Sequence, residues 1–274
     1  MNLNHKTINQ FNSQRSSNSE YLEYNNHIKD RIQNKNPLIS IILPLYNEEK
    51  SVKNVIDLIP NDIDHEVILV DDGSTDESIE NVKKVNNKYI KIIKHEQNKG
   101  YGAALLTGFN YASGDIIVTI DSDGQHNPKE IPNIIEPIIN KNADMVIGSR
   151  YLGETLYPIP LHIKIGEYFI KKALRLLYNQ EICNNQSGFR AFHKSILAQF
   201  GEFYDYGMVF STELLLKTLE IQKKVIEVPI SLKPRIYGTS YVKLARILIK
   251  ILTCVTIYGL RKFKTLRKVL DKCI

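Results

Sequence analysis

Polar and charged residues crowd four short stretches, each directly behind an apolar run. They read Pro44-Leu45-Tyr46-Asn47-Glu48-Glu49, Asp71-Asp72-Gly73-Ser74-Thr75-Asp76, Asp121-Ser122-Asp123-Gly124-Gln125-His126 and Gly148-Ser149-Arg150. The third offers two carboxylates one residue apart and the amide carbonyl of Gln125, hard oxygen donors suited to Mg2+ or Mn2+. Residues 121 and 123 project to one side if the preceding strand continues through them. An oxygen site does not need His126, which is assigned to support or capping. Three arginines, Arg150, Arg190 and Arg235, are planar, bidentate partners for phosphate. Each stretch taken alone reads first as turn chemistry: Ser74 or Thr75 can cap a helix ahead of Glu77 and Glu80, Asp71 can cap a strand end, and Glu48 can favour a helix N-terminus.

The elements that must position these residues are legible as alternating patterns. Short β-branched runs at 39–43, 66–70, 89–93, 115–120 and 144–147 have strand length, and helical periodicity fills 48–58, 74–85, 100–112 and 128–140 between them. Repeated strand and helix predict an α/β fold, a Rossmann-like, mostly parallel sheet flanked by helices. Ligands of such sheets bind beyond the carboxyl ends of the strands, where the four polar stretches fall. Asn98-Lys99-Gly100 opens a glycine-containing helix start that can approach a ligand closely, while Gly102 and Gly108 permit tight helix–sheet packing.

The chain has 274 residues, 43% of them apolar, enough for a core without staples. Cys183, Cys254 and Cys273 are odd in number and widely spaced, which excludes a disulfide framework or a zinc ribbon and fits a reducing cytosol. Residues 1–36 carry nine Asn and no apolar core of a signal peptide, and are expected to be disordered. The net charge of +6 is uneven: residues 241–274 hold nine Lys/Arg against Asp271, so the tail is +8 and the rest −2. A near-neutral body with a basic, apolar tail points to an anionic surface rather than to nucleic acid. The longest uncharged apolar stretch, 251–260, is too short to span a bilayer. Segments 157–178 and 244–269 instead place apolar residues at helical spacing among lysines and arginines, as helices lying in a headgroup layer do, or as helices packing on the domain or on a membrane subunit do.

Taken in order, these motifs resemble the family 2 glycosyltransferases of GT-A fold, and more narrowly the dolichyl (polyprenyl) phosphate mannosyltransferase and glucosyltransferase group. The resemblance runs from about Ile39 to Lys243 and includes Asn98-Lys99-Gly100-Tyr101-Gly102-Ala103, Gln186-Ser187-Gly188-Phe189-Arg190, Glu227-Val228-Pro229 and Arg235-Ile236-Tyr237-Gly238-Thr239-Ser240. It implies a metal-dependent, inverting transfer of a hexose from a UDP- or GDP-sugar to a polyprenyl phosphate by a protein peripheral on the cytoplasmic face of a membrane. By that resemblance, residues 37–240 form the catalytic domain and 241–274 its tail. Pro44, Tyr46, Glu48, Val70 and Asp72 line the nucleoside pocket, with Asp121 and Ser122 on the nucleotide. Asp123 and Gln125 hold the metal, Arg235 closes over the donor pyrophosphate, and Arg150, Lys164 and Arg190 reach the acceptor phosphate. Asp123, Arg150 and Arg235 are the implied catalytic set.

Three positions depart from the family pattern: Asn184 where Asp is common, Lys164 where Arg is usual, and Tyr241 where Lys is frequent. A phosphate acceptor is already ionised at neutral pH and needs alignment rather than a strong base, whereas a sugar hydroxyl needs a carboxylate to take its proton. Asp205 and Glu213 are the candidate carboxylates for that second case, with capping or helix-surface roles as the alternative. The sugar-polymerising relatives usually carry a Gln-x-x-Arg-Trp motif, and this chain has no Trp. Transfer to a glycan hydroxyl, an inactive nucleotide-binding subunit and a basic nucleic-acid binder are the competing readings.

Overall fold

A computed structural model of the chain describes residues 37–85, 89–154, 161–235 and 244–273. The expectations for residues 1–36, and for the 236–241 part of the loop ending at Tyr241, lie outside the described residues. In chain order the elements are β1 (Ile39–Leu45), α1 (Val52–Asp57), β2 (His65–Asp71), α2 (Ser78–Lys83), β3 (Ile90–Lys94), α3 (Tyr101–Tyr111), β4 (Ile116–Thr119), α4 (Ile131–Ile139), β5 (Met145–Ser149), α5 (Leu161–Tyr178), β6 (Arg190–His193), α6 (Phe210–Glu220), β7 (Val225–Pro229) and α7 (Leu244–Cys273).

The seven strands form one sheet in the order β3-β2-β1-β4-β6-β5-β7. All pairings are parallel except those of β6, which runs antiparallel to β4 and β5. This is the expected mostly parallel sheet. β6 begins at Arg190 of the quoted Gln186–Arg190 motif and β7 ends on the Glu227-Val228-Pro229 motif; neither is among the five strands read from the sequence.

Strand alternation sorts side chains into two cores, one on each face. Ile41, Leu43, Val67 and Leu69 face one side with Val52, Val55, Ile134 and Ile138 of α1 and α4. Ile42, Ile68 and Val70 face the other with Leu105 and Phe109 of α3, Leu214 and Leu215 of α6, Ile170 and Leu174 of α5, and Ile251, Val255 and Tyr258 of α7. All seven residues of β1 are buried, and each such aliphatic side chain contributes about 1.5–3 kcal/mol on removal from water. β3, at an edge, is mostly exposed and carries Lys91 and Lys94, charges that discourage further strand pairing.

Helices begin later than periodicity predicts. α1 starts at Val52 rather than Glu48 because Asn47 adopts a left-handed φ of 54° and the 46–49 segment is bound to the loop after β2. Asn47 N donates to Ser74 Oγ (3.0 Å), Glu48 N to Ser78 Oγ (2.8 Å), and Thr75 N to Asn47 Oδ1 (2.8 Å). Those contacts also hold 74–77 out of α2. Side chains that look like helix caps instead join two loops across the top of the sheet.

Candidate active site

The carboxyl ends of β1, β2, β4 and β5 open into a cleft of about 1200 Å³. The register aligns Leu45 with Asp71 and Ile42 with Thr119, so the polar stretches leave the sheet at one end. Pro44, Tyr46, Glu48, Asp72, Asp121, Ser122, Asp123, Gln125, Arg150 and Arg235 all line this cleft.

Asp72 is held by three donors. Lys99 N and Gly100 N donate to its two carboxylate oxygens at 2.8 Å each, and His95 Nδ1 lies 2.7 Å from Oδ1 while its Nε2 lies 2.9 Å from Thr107 Oγ1. The Asn98–Gly100 turn is thus fixed on Asp72. Gly100, with φ of 101°, passes so close to the chain that an added Cβ would lie 2.8 Å from Tyr206 O. Asp71 is fully buried and accepts from Ser74 N at 2.8 Å, the capping role expected for it. His95 carries no motif of its own, and its role emerges only when β3 is placed beside β2.

β4 ends at Thr119, so Asp121 and Asp123 do not alternate along a strand; they occupy a loop. Ser122 Oγ donates to Pro44 O (2.7 Å) and Ser51 Oγ donates to Ser122 O (2.8 Å), which ties that loop to β1. Tyr101 OH donates to Asp121 Oδ1 at 3.0 Å. Burial first, then the adjacent charge of Asp123, pushes the Asp121 carboxyl up to about 7. Asp123 Oδ1 accepts from Gln125 N at 3.0 Å. Burial pulls His126 down to about 4, and its Nδ1 stands 3.8 Å from Asp121 Oδ2, beside the acidic loop.

Arg235 donates to Glu48, and its Nη1 stands 3.9 Å from Asp123 Oδ2. Its segment is anchored to the acidic loop: Lys233 N donates to Gln125 O (2.9 Å) and Gln125 Nε2 to Lys233 O (3.1 Å). Burial raises the Glu48 carboxyl above its usual value despite the opposing effect of Arg235. Across the cleft, Arg150 Nη2 donates to Glu167 Oε1 of α5 at 2.8 Å, and Tyr151 OH donates to the same carboxylate.

Several expected site residues stand elsewhere. Arg190 is not available to an acceptor phosphate: it is 1% exposed, and its guanidinium donates to Ser187 O (2.7 Å), Ser211 O (2.5 Å) and Asn185 O. Its function in the fold is to bind the turn before β6 to α6. Val70 is fully buried in the sheet core, so its side chain does not line the nucleoside pocket. Lys164 is exposed on α5 and is not among the residues lining the cleft. Glu213 is fully buried and accepts from Tyr204 N, Asp205 N and Tyr258 OH; it is a structural acceptor rather than a base. Asp205 does line the cleft, paired with Lys250 Nζ at 2.9 Å.

The departure at Asn184 has a local reason. Its Nδ2 donates to Gly148 O at 3.2 Å, while Glu227 of β7 accepts from Cys183 N and Asn184 N. A carboxylate at 184 would lose the donation and meet a second negative charge.

Residues 40–201 match the family described as glycosyl transferase family 2. The chain is 39% identical over 183 residues to the UDP-N-acetylglucosamine–dolichyl-phosphate N-acetylglucosaminyltransferase of Methanococcus voltae, covering 60% of this chain and 73% of that protein. It is 33% identical over 213 residues to the dolichol-phosphate mannosyltransferase of Pyrococcus furiosus, covering 75% of this chain and 59% of that protein. Among solved structures, glucosyl-3-phosphoglycerate synthase from Mycobacterium tuberculosis, in complex with Mn2+, UDP and phosphoglyceric acid, superposes with a TM-score of 0.67 at 21% identity, over 85% of this chain and 82% of that one. The fold is therefore of GT-A type, and the chain belongs to glycosyl transferase family 2, with its sequence relatives in the dolichyl-phosphate transferase group.

Proposed function

We propose that this glycosyltransferase moves a hexose or N-acetylhexosamine from a UDP- or GDP-sugar to the phosphate of a polyprenyl lipid, with inversion, at the cytoplasmic surface of a membrane. The observation that carries the reading is the convergence of Asp121, Asp123, Arg235 and Arg150 on one cleft at the carboxyl ends of the strands. The dolichyl-phosphate transferases among the relatives support the acceptor class. Tyr46, Glu48 and the fixed carboxylate of Asp72 form the nucleoside end of the cleft.

The residues present fit a divalent cation. Asp121 is raised by the charge of Asp123 as well as by burial, a repulsion that a bound cation relieves. Among the described residues no group of three or more His, Cys, Asp or Glu is arranged to hold a metal, so Asp123 and Gln125 would hold an ion that takes its other ligands from the diphosphate and water, the habit of Mg2+. The Mycobacterium tuberculosis structures with Mn2+ or Mg2+ and UDP support this. Bound there, Mg2+ or Mn2+ supplies charge screening of the diphosphate and stabilises the leaving group.

Arg235 exchanges its contacts with Glu48 and Asp123 for the donor diphosphate, and Arg150 directs the acceptor phosphate. An acceptor phosphate oxygen attacks the anomeric carbon, the bond from that carbon to the diphosphate oxygen breaks, and the nucleoside diphosphate departs with the electron pair. No proton has to be removed from the nucleophile. Asp205 is the carboxylate placed to serve a hydroxyl acceptor instead, and its pairing with Lys250 disfavours that use.

Among the described residues no helix is long and apolar enough to cross a membrane. Ile165, Tyr168, Phe169 and Leu176 on α5 and Ile249, Leu260 and Phe263 on α7 are nevertheless exposed, an apolar surface beside basic residues that suits a headgroup layer. Incubation with a panel of radiolabelled UDP- and GDP-sugars, polyprenyl phosphate and Mn2+ tests the reading. Label in an acid-labile, organic-extractable product, lost without metal and in Asp123→Ala, is expected; label only in a glycan, or in nothing with any donor, would contradict it.

A further inference from the structure

Two of the three cations that the family resemblance offers for an acceptor phosphate do not meet the cleft. Arg190 is engaged with three backbone carbonyls inside the domain, and Lys164 is exposed on α5 outside the cleft wall. Among the described residues, the lysines and arginines lining the cleft are Arg150, Arg235 and Lys250. Arg235 stands against Glu48 and Asp123 on the donor side. Lys250 enters from the C-terminal helix α7, at the rim formed by Asp205 and Val209.

The surroundings of Lys250 match an amphiphile. Its ammonium lies 2.9 Å from Asp205 Oδ2, and the other oxygen of Asp205 accepts from Gly207 N at 2.7 Å. The next residues along the helix divide by face: Ile251 and Cys254 are buried, whereas Ile249 is 66% and Leu252 41% exposed. One turn of α7 therefore presents a cation to the cleft and aliphatic side chains to the outside. A phosphate carried on a hydrocarbon chain needs that pairing, with its head in the cleft and its chain leaving across the helix.

We propose that Lys250 is a ligand of the acceptor phosphate, exchanging Asp205 for that phosphate when the lipid binds. This rests on the reading of the acceptor as a lipid phosphate. The Asp205 carboxylate competes with the acceptor for the same ammonium, and a phosphate offers more acceptor oxygens than the carboxylate it displaces. Lys250 takes the place that the resemblance gives to position 164, with a point charge instead of a guanidinium fork.

Initial rates with the full chain test this, varying polyprenyl phosphate at saturating donor and then donor at saturating acceptor. Lys250 has a 56% exposed side chain, so substitution there does not threaten the fold, and the melting temperature of each variant is read alongside. Lys250→Gln is expected to raise the acceptor KM about tenfold while the donor KM changes less than about twofold, the signature of lost acceptor binding alone. Lys250→Arg, keeping the charge, is expected to restore the acceptor KM to within about threefold of wild type. Asp205→Asn, which frees the lysine, should lower the acceptor KM. An unchanged acceptor KM in Lys250→Gln would overturn the assignment. So would an Asp205→Asn variant that raises KM as much as Lys250→Gln, since the pair would then act only to hold the loop. A wild-type enzyme that ignores polyprenyl phosphate but glycosylates a hydroxyl acceptor would overturn the acceptor reading itself, and this inference with it.

Discussion

Asp121 is supported by contacts that leave little freedom. Tyr101 donates to one oxygen, and Gly188 approaches so closely that an added Cβ would overlap both carboxylate oxygens. Gly188→Ala is therefore expected to displace Asp121 and weaken metal-dependent UDP or GDP binding by about tenfold, a loss of about 1.4 kcal/mol that titration calorimetry would register. Asp123→Asn is expected to lower kcat about 10²–10³-fold by removing charge stabilisation where the leaving group develops; steady-state rates check it. That Asp121, Asp123, Arg150 and Arg235 share one cleft was legible from residue type and spacing, because such groups gather at strand ends in an α/β sheet. Arg190 shows where that reading stops. Its position in a motif is visible in the sequence, but whether a guanidinium faces the cleft or three backbone carbonyls depends on β6 running antiparallel between β4 and β5. The same holds for Lys250, a charge in a basic helix until α7 is packed beside the 205–209 rim.

Among the elements, α5 and α7 both pack on the domain and expose an apolar face. α7 places Ile251, Val255 and Tyr258 in the core, where Tyr258 OH donates to Glu213 at 3.0 Å. Glu213 in turn receives Tyr204 N and Asp205 N, so the helix fixes the loop whose Tyr206 O accepts from Ala103 N at the start of α3. Burial raises the Glu213 carboxyl above its usual 4.5, opposed by hydrogen bonds from Asp205 and Tyr258 and by the charge of Lys217. The folded chain thus keeps this proton at pH values where the unfolded chain has lost it. The stability this contributes is complete below about pH 4.5 and declines as pH rises through the folded value. Glu213→Gln removes that titration, and its melting temperature is expected to fall less than that of wild type between acid and neutral pH. Periodicity revealed both amphipathic helices but not which apolar residues face inward, since a helix that covers a core and also exposes apolar side chains carries one continuous pattern.

In the molecule as a whole, the sheet gathers the proposed donor site at its carboxyl end, and α7 runs from that cleft to an exposed apolar surface. Replacing Leu260 and Phe263, both exposed, by Glu is expected to reduce binding to anionic vesicles about tenfold, as two charges are pushed toward an apolar, negative surface; flotation with anionic and neutral vesicles checks this. In the proposed reaction the acceptor's nucleophile is a phosphate, aligned by cations and needing no base. Release of nucleoside diphosphate, measured with polyprenyl phosphate and with the polyprenol of the same chain length, tests it most directly. Metal-dependent release is expected with the phosphate, and only background release with the alcohol. Equal or faster release with the alcohol would contradict it and return Asp205 to the role of general base.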